Sequence, residues 1–171
     1  TDTEEEQVQV ATIIKKHLDD SGISINPKKE VYTKPKEPWT FLGIQYSNGT
    51  IDISSVTKEK TKSKIRRRAR AIKRWQIKKG KTNTQAVRAL IKAMNKKFYE
   101  ASSSHELTWS RWYFPLITTD KTLHESDLYV QYWIRFLSTG KHNKKNYNLR
   151  YEEMKELGYR SLVHEWYKTK Q

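Results

Sequence analysis

Residues 21–53 read SGISINPKKEVYTKPKEPWTFLGIQYSNGTIDI, and this stretch decides the fold class because a β pattern begins inside it. An Asn-Gly pair at 48–49 separates two β-rich runs, residues 39–46 and 51–53. Asn-Gly between two such runs is the strongest short-range signal for a β-hairpin. The Val-Tyr-Thr run at 31–33, bracketed by prolines, predicts a further strand. We therefore expect a strand followed by a hairpin.

A helix is predicted before this stretch. Thr3 and Glu6 fit a capping box, and the glutamates of the first turn suit the positive end of a helix dipole. The Ser-Gly pair at 21–22 is typical of a helix C-terminus. Between these two ends an apolar stripe recurs at helical spacing, and we expect the helix to pack through it. The stripe consists of Val8, Ala11, Ile14 and Leu18.

Two more helices are predicted from residue 55 onward. The first carries a narrow apolar stripe and ends at Gly80, and the second begins at a cap within residues 82–84. The first stripe consists of Ile65, Ala69, Ile72 and Gln76, and the second of Val87, Leu90, Ile91, Met94 and Phe98. A short basic loop joins the two helices, so we expect them to pack antiparallel.

The last third of the chain is aromatic and helical in its pattern. Serines 102–104 predict a linker, and an aromatic segment that ends at Pro115 follows. After it come a helix over about 126–138, a basic loop over 140–146, and short helices over about 152–157 and 161–168. The longer helix is expected to bury Tyr129, Tyr132, Trp133, Phe136 and Leu137.

The predicted fold class is α+β. We expect a helix, a strand and a β-hairpin over residues 1–54. A basic helical domain is expected over 55–103, and an aromatic-rich helical region over 104–171.

Composition excludes several classes of protein. The chain has 171 residues, of which 31% are charged and 12% aromatic, and it lacks cysteine. This length allows one ordinary core or two small ones, which excludes a large multidomain enzyme. The aromatic content is too high for a disordered tail, and thiolate metal sites and disulfides are excluded. No apolar run approaches the roughly 20 residues that span a bilayer, so we expect a cytoplasmic protein without a membrane partner.

The net charge of +15 is concentrated in one segment. Residues 58–81 contain thirteen Lys and Arg side chains and a single acid, Glu59, which gives this segment a net charge of +12. Concentrated positive charge attracts polyanions through counterion release, and nucleic acid is the expected partner. The alternatives are a solvated helix face and a localisation patch.

Two motifs in residues 21–53 resemble the distal palm of reverse transcriptases. Residues 22–29 fit a Gly-apolar-x-apolar-Asn-x-x-Lys pattern, and Phe-Leu-Gly follows at 41–43. In that family the first motif closes the nucleotide side of the active site, and the second opens the primer-grip hairpin. A helical thumb that holds the template-primer duplex comes next, as the basic helices do here. Group II intron, retron, diversity-generating and defence-associated enzymes share this order.

The resemblance implies that the chain is a palm-end and thumb fragment of an RNA-directed DNA polymerase. Such a nucleotidyltransferase uses Mg²⁺ held by a Tyr-x-Asp-Asp turn, which lies upstream of these motifs. The fragment alone is therefore expected to be inactive and to hold no metal or other cofactor. The implied partners are the remaining fingers and palm, and a duplex of RNA template with DNA primer.

The family's residues carry over to the matching positions. Lys29 corresponds to the lysine placed near the triphosphate and proposed to protonate the pyrophosphate leaving group, with Lys28 as the alternative if the motif slips by one. Phe41, Leu42 and Gly43 correspond to the grip turn, where a glycine lets the backbone approach the primer. The competing interpretations are a surface lysine after a turn and an ordinary buried strand with a glycine at a bulge.

In the thumb, five bases are the expected phosphate contacts, because we expect them to flank the apolar stripe. They are Arg66, Arg67, Arg70, Lys73 and Arg74. Trp75 is expected either to stack on a sugar or base, or to lie in the core.

The sequence also allows an alternative function, and it contains a segment that resembles a metal-binding motif. A stand-alone basic RNA-binding or architectural domain, with Trp and Tyr stacking on unpaired bases, would explain the same charge and aromatic content. The sequence His17-Leu18-Asp19-Asp20 imitates Tyr-x-Asp-Asp, but it ends a predicted helix, whereas the catalytic signature requires a turn between strands. The five histidines show no ligand-like spacing, so no metal site is predicted.

Overall fold

A computed structural model describes residues 3–34, 37–101, 107–142 and 147–171. The helices are α1 (Glu4–Asp20), α2 (Ser55–Lys78), α3 (Asn83–Tyr99), α4 (Trp109–Tyr113), α5 (Lys121–Thr139), α6 (Tyr151–Glu156) and α7 (Leu162–Lys168), and the strands are β1 (Trp39–Phe41), β2 (Ile44–Ser47) and β3 (Thr50–Ile53). A 3₁₀ turn occupies Pro27–Lys29. The predicted α+β class is confirmed.

The sheet is an antiparallel meander in the order β1-β2-β3. The predicted Asn-Gly hairpin joins β2 to β3, with Ser47 opposite Thr50. The single strand expected over 39–46 is wrong, because Leu42 and Gly43 both adopt positive φ, 46° and 86°, and reverse the chain there. Two central residues with positive φ form a type I′ turn, which suits the twist of a hairpin.

The strand expected at residues 31–33 is also wrong. These residues run alongside α1 without pairing in the sheet, and the carbonyl of Thr33 accepts a hydrogen bond from Gln7 Nε2 at 2.9 Å. Three β-prone residues between prolines are too few to form a ladder when a helix offers the nearest partner.

The sheet packs on the helices through one apolar face. Ile44 and Ile53 lie opposite each other in β2 and β3, and both are buried in the core that the helices form. The edge of β3 is covered by Thr118, whose N–H donates to the carbonyl of Ile51 at 2.9 Å. The hairpin is thereby fixed to the segment that precedes α5.

The helical bundle follows the predicted stripes. α2 starts at the N-cap Ser54, and α3 starts at a capping box formed by Thr82 and Gln85, which places its cap within the predicted residues 82–84. The predicted stripe residues of both helices are buried. The two helices are antiparallel, while α2 and α5 are parallel. An ion pair of 2.8 Å joins Lys58 to Glu125 near the N-termini of these parallel helices.

α5 begins about one turn earlier than predicted. It starts at Lys121, and its first turn is held in place because residues 122 and 123 are buried and Thr122 Oγ1 donates to Asp52 Oδ2 of β3 at 2.8 Å. Tyr132 does not lie on its buried side as expected, since 38% of the residue is exposed. The two short C-terminal helices occur close to their predicted positions.

α1 has the predicted bounds and the predicted Thr3 cap, but none of its residues is buried. The expectation that it packs through its apolar stripe is wrong for Val8 and Ile14, which are 62% and 53% exposed. An ion pair between Lys15 and Glu30 ties the helix to residues 25–34. The buried cluster begins only at Ile44 and includes no residue of α1.

The buried cluster spans both predicted domain boundaries. Residues of β2, β3, α2, α3, α5 and α7 all contribute to it, so residues after 43 share one core. The division at 54 and 103 stays a prediction about organisation, and the linker predicted at 102–104 lies outside the described residues. Among the described helices, none is long and apolar enough to cross a membrane.

Candidate nucleic-acid interface

The basic face of α2 is set by the register of its buried stripe. The buried positions are Thr61, Ile65, Ala69, Ile72 and Gln76. At about 100° of rotation per residue, these positions cover a narrow arc of the helix. Arg67, Arg70 and Arg74 project from the opposite side, and we call these three residues the arginine face.

Four of the five predicted phosphate contacts are exposed. The three residues of the arginine face and Arg66 are exposed, and none forms an ion pair with an acid in the described part of the chain. Their charges are therefore uncompensated. The expectation that all five flank the apolar stripe is wrong, because the arginine face lies opposite the stripe.

The fifth predicted contact, Lys73, has a different environment. It is half-buried on the α5 side of α2, and its Nζ donates to Gln76 Oε1 at 3.0 Å. Gln76 in turn donates through Nε2 to Asn83 Oδ1 at 2.6 Å. Lys73 therefore belongs to the side of α2 that faces the end of α5 rather than to the arginine face.

Two of the lysines in the first half of α2 are paired with acids. Lys58 pairs with Glu125, and Lys62 lies 3.4 Å from Glu59 and 3.7 Å from Glu125. The hydrogen bond with Glu125 raises the pKa of Lys58, and the same bond lowers the pKa of Glu125. Most of the unpaired positive charge of α2 therefore lies in its second half.

Trp75 lies beside the arginine face and not in the core. It is 39% exposed and lines a groove of about 370 Å³ between α2 and α3. Arg68, Ala71 and Ala89 line the same groove. Sequence reasoning missed Arg68, although positions 68, 71 and 75 share one helical face by their spacing of three and four.

Two lysines lie close together between α2 and α3. Burial lowers the pKa of Lys97 on α3, and the like charge of Lys64 on α2 lowers it further. The ammonium of Lys97 also sits 5.4 Å from the ring centroid of Phe98. Two cations held close without a carboxylate partner among the described residues add to the positive field on this side of α2.

The predicted primer-grip residues form the apex of the β1–β2 hairpin. Phe41 and Leu42 are 66% and 61% exposed, so the competing interpretation of a buried strand does not hold. Gly43 is required sterically, because a Cβ there would lie 2.6 Å from the Tyr113 hydroxyl and 2.9 Å from Thr57 Oγ1. The carbonyl of Gly43 accepts a hydrogen bond of 2.9 Å from the Ser54 N–H. The apex is thereby fixed at the N-terminus of α2.

Lys29 ends the 3₁₀ turn and is exposed. It lines an apolar groove of about 310 Å³ between α1 and residues 25–32, together with Ile14 and Tyr32. Lys28, the alternative, is exposed on the same turn, and its N–H donates to Asn26 Oδ1 at 3.0 Å. The structure does not place either lysine beside the hairpin apex, and their catalytic role stays a prediction.

His17, Asp19 and Asp20 lie on the last turns of α1. Across the described ranges, no group of three or more His, Asp or Glu side chains is arranged to hold a metal ion. Comparison with protein-family models, curated proteins and solved structures finds no match to this chain.

Proposed function

We propose that this chain is the template-primer holding portion of an RNA-directed DNA polymerase. It would grip a duplex of RNA template and DNA primer through the phosphate backbone. The observation that carries the proposal is the position of the hairpin apex at the start of the basic helix. The hydrogen bond between Ser54 and Gly43 and the close approach of Thr57 hold these two elements in one rigid unit.

The exposed side of α2 suits phosphate contacts that do not depend on sequence. Arg67, Arg70 and Arg74 follow one another at spacings of three and four, so they lie along one line of the helix. Such a row meets successive phosphates of a duplex and positions it without reading base edges. Arginine suits this role because its planar guanidinium forms paired hydrogen bonds with phosphate oxygens.

The apex residue Leu42 supports a contact role for the hairpin. A leucine with positive φ costs roughly 1–2 kcal/mol, and this one is also exposed. The second turn of the same sheet has almost the same backbone, with φ values of 49° and 76°, but carries Asn48 and Gly49. The chain therefore tolerates strain at Leu42 where a better turn residue is available, which favours a contact made by the leucine side chain.

The exposed apolar stripe of α1 supports the proposal that the chain is a fragment of a larger protein. Val8, Ile13 and Ile14 are each more than half exposed on a helix that buries nothing. A stand-alone nucleic-acid-binding domain has no need for such a face, whereas a helix beneath a palm sheet does. In this proposal the remaining palm covers α1 and supplies the carboxylates that hold Mg²⁺, so the chain alone transfers no nucleotide.

The test is binding of the purified chain to a fluorescently labelled RNA–DNA hybrid, measured by anisotropy over a series of salt concentrations. Each phosphate contact contributes roughly 0.9 to the slope of log affinity against log salt. Replacing Arg67, Arg70 and Arg74 with Ala should therefore reduce the slope by about 2.7. At 0.1 M salt the affinity should fall by roughly two to three orders of magnitude, equally for all duplex sequences.

The matched control replaces the same three arginines with Lys. Because lysine keeps the charge, the salt slope should stay close to that of the wild type. An unchanged slope in the alanine variant, or a loss confined to one duplex sequence, contradicts the proposed grip.

Polymerase membership has its own test. The reading frame that encodes the chain should contain a strand-flanked Tyr-x-Asp-Asp within a few tens of residues upstream of residue 1. The purified 171 residues should give no Mg²⁺-dependent primer extension, since they lack that turn. Extension by the chain alone, or an unrelated domain upstream, overturns the polymerase assignment and leaves a basic nucleic-acid-binding domain.

A further inference from the structure

A second candidate site lies on α5, away from the arginine face. Tyr129, Tyr132 and Phe136 follow one another along this helix at spacings of three and four, and His142 comes from the loop after it. The rings of Tyr129 and Tyr132 are 6.4 Å apart at 23°. His142 lies 5.7 Å from Tyr132 at 23° and 4.2 Å from Phe136 at 13°. We call these four residues the aromatic platform.

The aromatic platform is not an ordinary core cluster. Tyr132 is 38% exposed and His142 is exposed, while only Trp133 beside them is buried, at 5%. Trp133 contacts Tyr132 and Phe136 edge-on, at 5.5 Å and 5.4 Å. Its Nε1 has no hydrogen-bond partner within the described residues. The buried indole therefore supports a row of roughly parallel rings, in which Tyr129 and Phe136 are half-buried and Tyr132 and His142 are exposed.

His142 shows what kind of group the platform accepts. Its imidazole is a planar nitrogen heterocycle that stacks on Phe136, and its Nδ1 hydrogen-bonds with the hydroxyl of Tyr132. An unpaired nucleobase offers the same two features, a flat π-face and ring nitrogens at its edge. Stacking of bases on aromatic side chains tolerates any sequence, because every base has a π-face.

Lys62 of α2 lies beside Tyr129, the first residue of the aromatic platform. Its ammonium is 5.9 Å from the ring centroid of Tyr129. Glu59 and Glu125 share this ammonium, so its charge is largely compensated. We therefore assign Lys62 to the support of Tyr129 rather than to phosphate binding.

Two uncompensated cations follow Lys62 along the same flank of α2. Arg66 and Lys73 lie four and eleven residues after it, which returns them to nearly the same side of the helix. Lys73 Nζ is 3.9 Å from the position that a Cβ on Gly140 would occupy, so it lies near the end of α5. A row of positive charge thus runs parallel to the row of rings.

From these observations we propose that the surface formed by the aromatic platform and the adjacent flank of α2 is a binding site for single-stranded nucleic acid. Unpaired bases stack on Tyr132 and Phe136, either displacing His142 or adding to its stack, and Arg66 and Lys73 contact the phosphates. This site differs from the arginine face in its ligand, because a paired base inside a duplex offers no free face. The inference does not depend on polymerase membership.

The test compares a labelled 12-nucleotide oligouridine with an RNA–DNA hybrid of the same length, by anisotropy, on the full chain. Replacing both Tyr132 and Phe136 with Leu keeps apolar volume but removes the rings. Oligouridine affinity should fall roughly tenfold or more, while hybrid affinity stays within about twofold. The conservative Tyr132→Phe variant keeps the ring and should bind oligouridine within about twofold of the wild type.

Circular dichroism and melting first establish that the double variant folds. If it does not, Tyr132→Leu alone carries the test, since this position is exposed, and a loss of about threefold or more is expected. Wild-type affinity for oligouridine in the ring-deleted variant overturns the inference, and so does an equal loss for oligouridine and hybrid. A wild-type chain that binds the oligomer but no hybrid refutes the duplex-holding proposal and leaves this site standing.

Discussion

Asp127 should be a position where a single substitution lowers stability strongly. It lies on α5, is only 4% exposed, and accepts hydrogen bonds from four donors of the C-terminal segment. Its Oδ1 accepts from the Tyr159 hydroxyl at 2.7 Å and from the Leu162 N–H at 2.9 Å. Its Oδ2 accepts from the Ser161 hydroxyl at 2.6 Å and from the Val163 N–H at 3.1 Å. One carboxylate therefore anchors the start of α7 to the bundle.

The Asp127→Asn substitution keeps the shape but turns one acceptor into a donor. Two of the four donors then face an amide N–H₂ instead of an oxygen. A hydrogen bond to a charged group contributes about 1.5–3 kcal/mol, and a buried donor left unpaired costs about 1–3 kcal/mol. The Ser161 hydroxyl can rotate to accept from the new amide and recovers part of this loss. We expect the free energy of unfolding to fall by about 2–4 kcal/mol.

Urea unfolding followed by Trp fluorescence measures this change. With an m-value of roughly 2 kcal/mol/M, the midpoint should shift by about 1–2 M. Asp120→Asn is the matched control, because Asp120 precedes the same helix and accepts a single side-chain bond, from Tyr167 at 3.1 Å. That control should cost less than about 1 kcal/mol. If Asp127→Asn stays within about 0.5 kcal/mol of the wild type, the four-bond anchor is not a stabilising feature.

Two further predictions concern the hairpin apex and alkaline pH. Gly43→Ala should lower the free energy of unfolding by about 2–4 kcal/mol, because the new Cβ would clash with the Tyr113 hydroxyl and the residue has a positive φ. Leu42→Asn should raise it by about 1 kcal/mol, because Asn adopts positive φ more readily than Leu. Urea midpoints test both, and a neutral Gly43→Ala contradicts the close packing. Burial raises the pKa of Tyr159 and of Tyr99 above the usual value of about 10. Their contribution to stability should be complete below pH 10 and decline as pH rises above it, and Tyr159→Phe should flatten that decline in unfolding curves recorded from pH 8 to about 11.

The parts of the fold that the sequence predicts well depend on local signals. The cap at Thr82, the helix end at Gly80 and the stripes of α2 and α3 each involve residues within a few turns of one another. Such contacts follow from helical spacing alone. The same holds for the Asn-Gly turn, whose residues favour positive φ without help from the rest of the chain.

The failures occur where tertiary contacts override local preference. Leu42 has no intrinsic tendency toward positive φ, so the β pattern alone predicts a continuous strand here, and a turn at 41–43 was implied only by the resemblance. It forms because Gly43 packs against Tyr113 and Thr57, which are 70 and 14 residues away along the chain. The missing strand at 31–33 has a similar cause, since the carbonyl of Thr33 accepts a hydrogen bond from Gln7 of α1 instead of pairing in a sheet.

The candidate interface was only partly predictable from spacing. The positive charge of α2 was evident from the sequence, but the side of the helix on which each Lys or Arg lies relative to the core depends on which stripe the bundle buries. The stripe fixed Arg67, Arg70 and Arg74 opposite the core, while Lys73 turned toward α5. The aromatic row of α5 was visible as a periodic pattern. The exposure of Tyr132 could not be predicted from this pattern, because it depends on how α2 packs beside α5, which is a tertiary property.

Exposed apolar surface is distributed unevenly along the chain, and this distribution bears on function. The bundle after residue 43 buries its stripes and needs no partner to do so. The N-terminal part instead exposes two apolar surfaces, the stripe of α1 and the hairpin apex at Phe41 and Leu42. Isolated exposed residues need no explanation, but a helix with no buried residue gains little from folding alone. A covering surface would therefore stabilise the N-terminal part more than the bundle, and the proposed function assigns that surface to the rest of a polymerase.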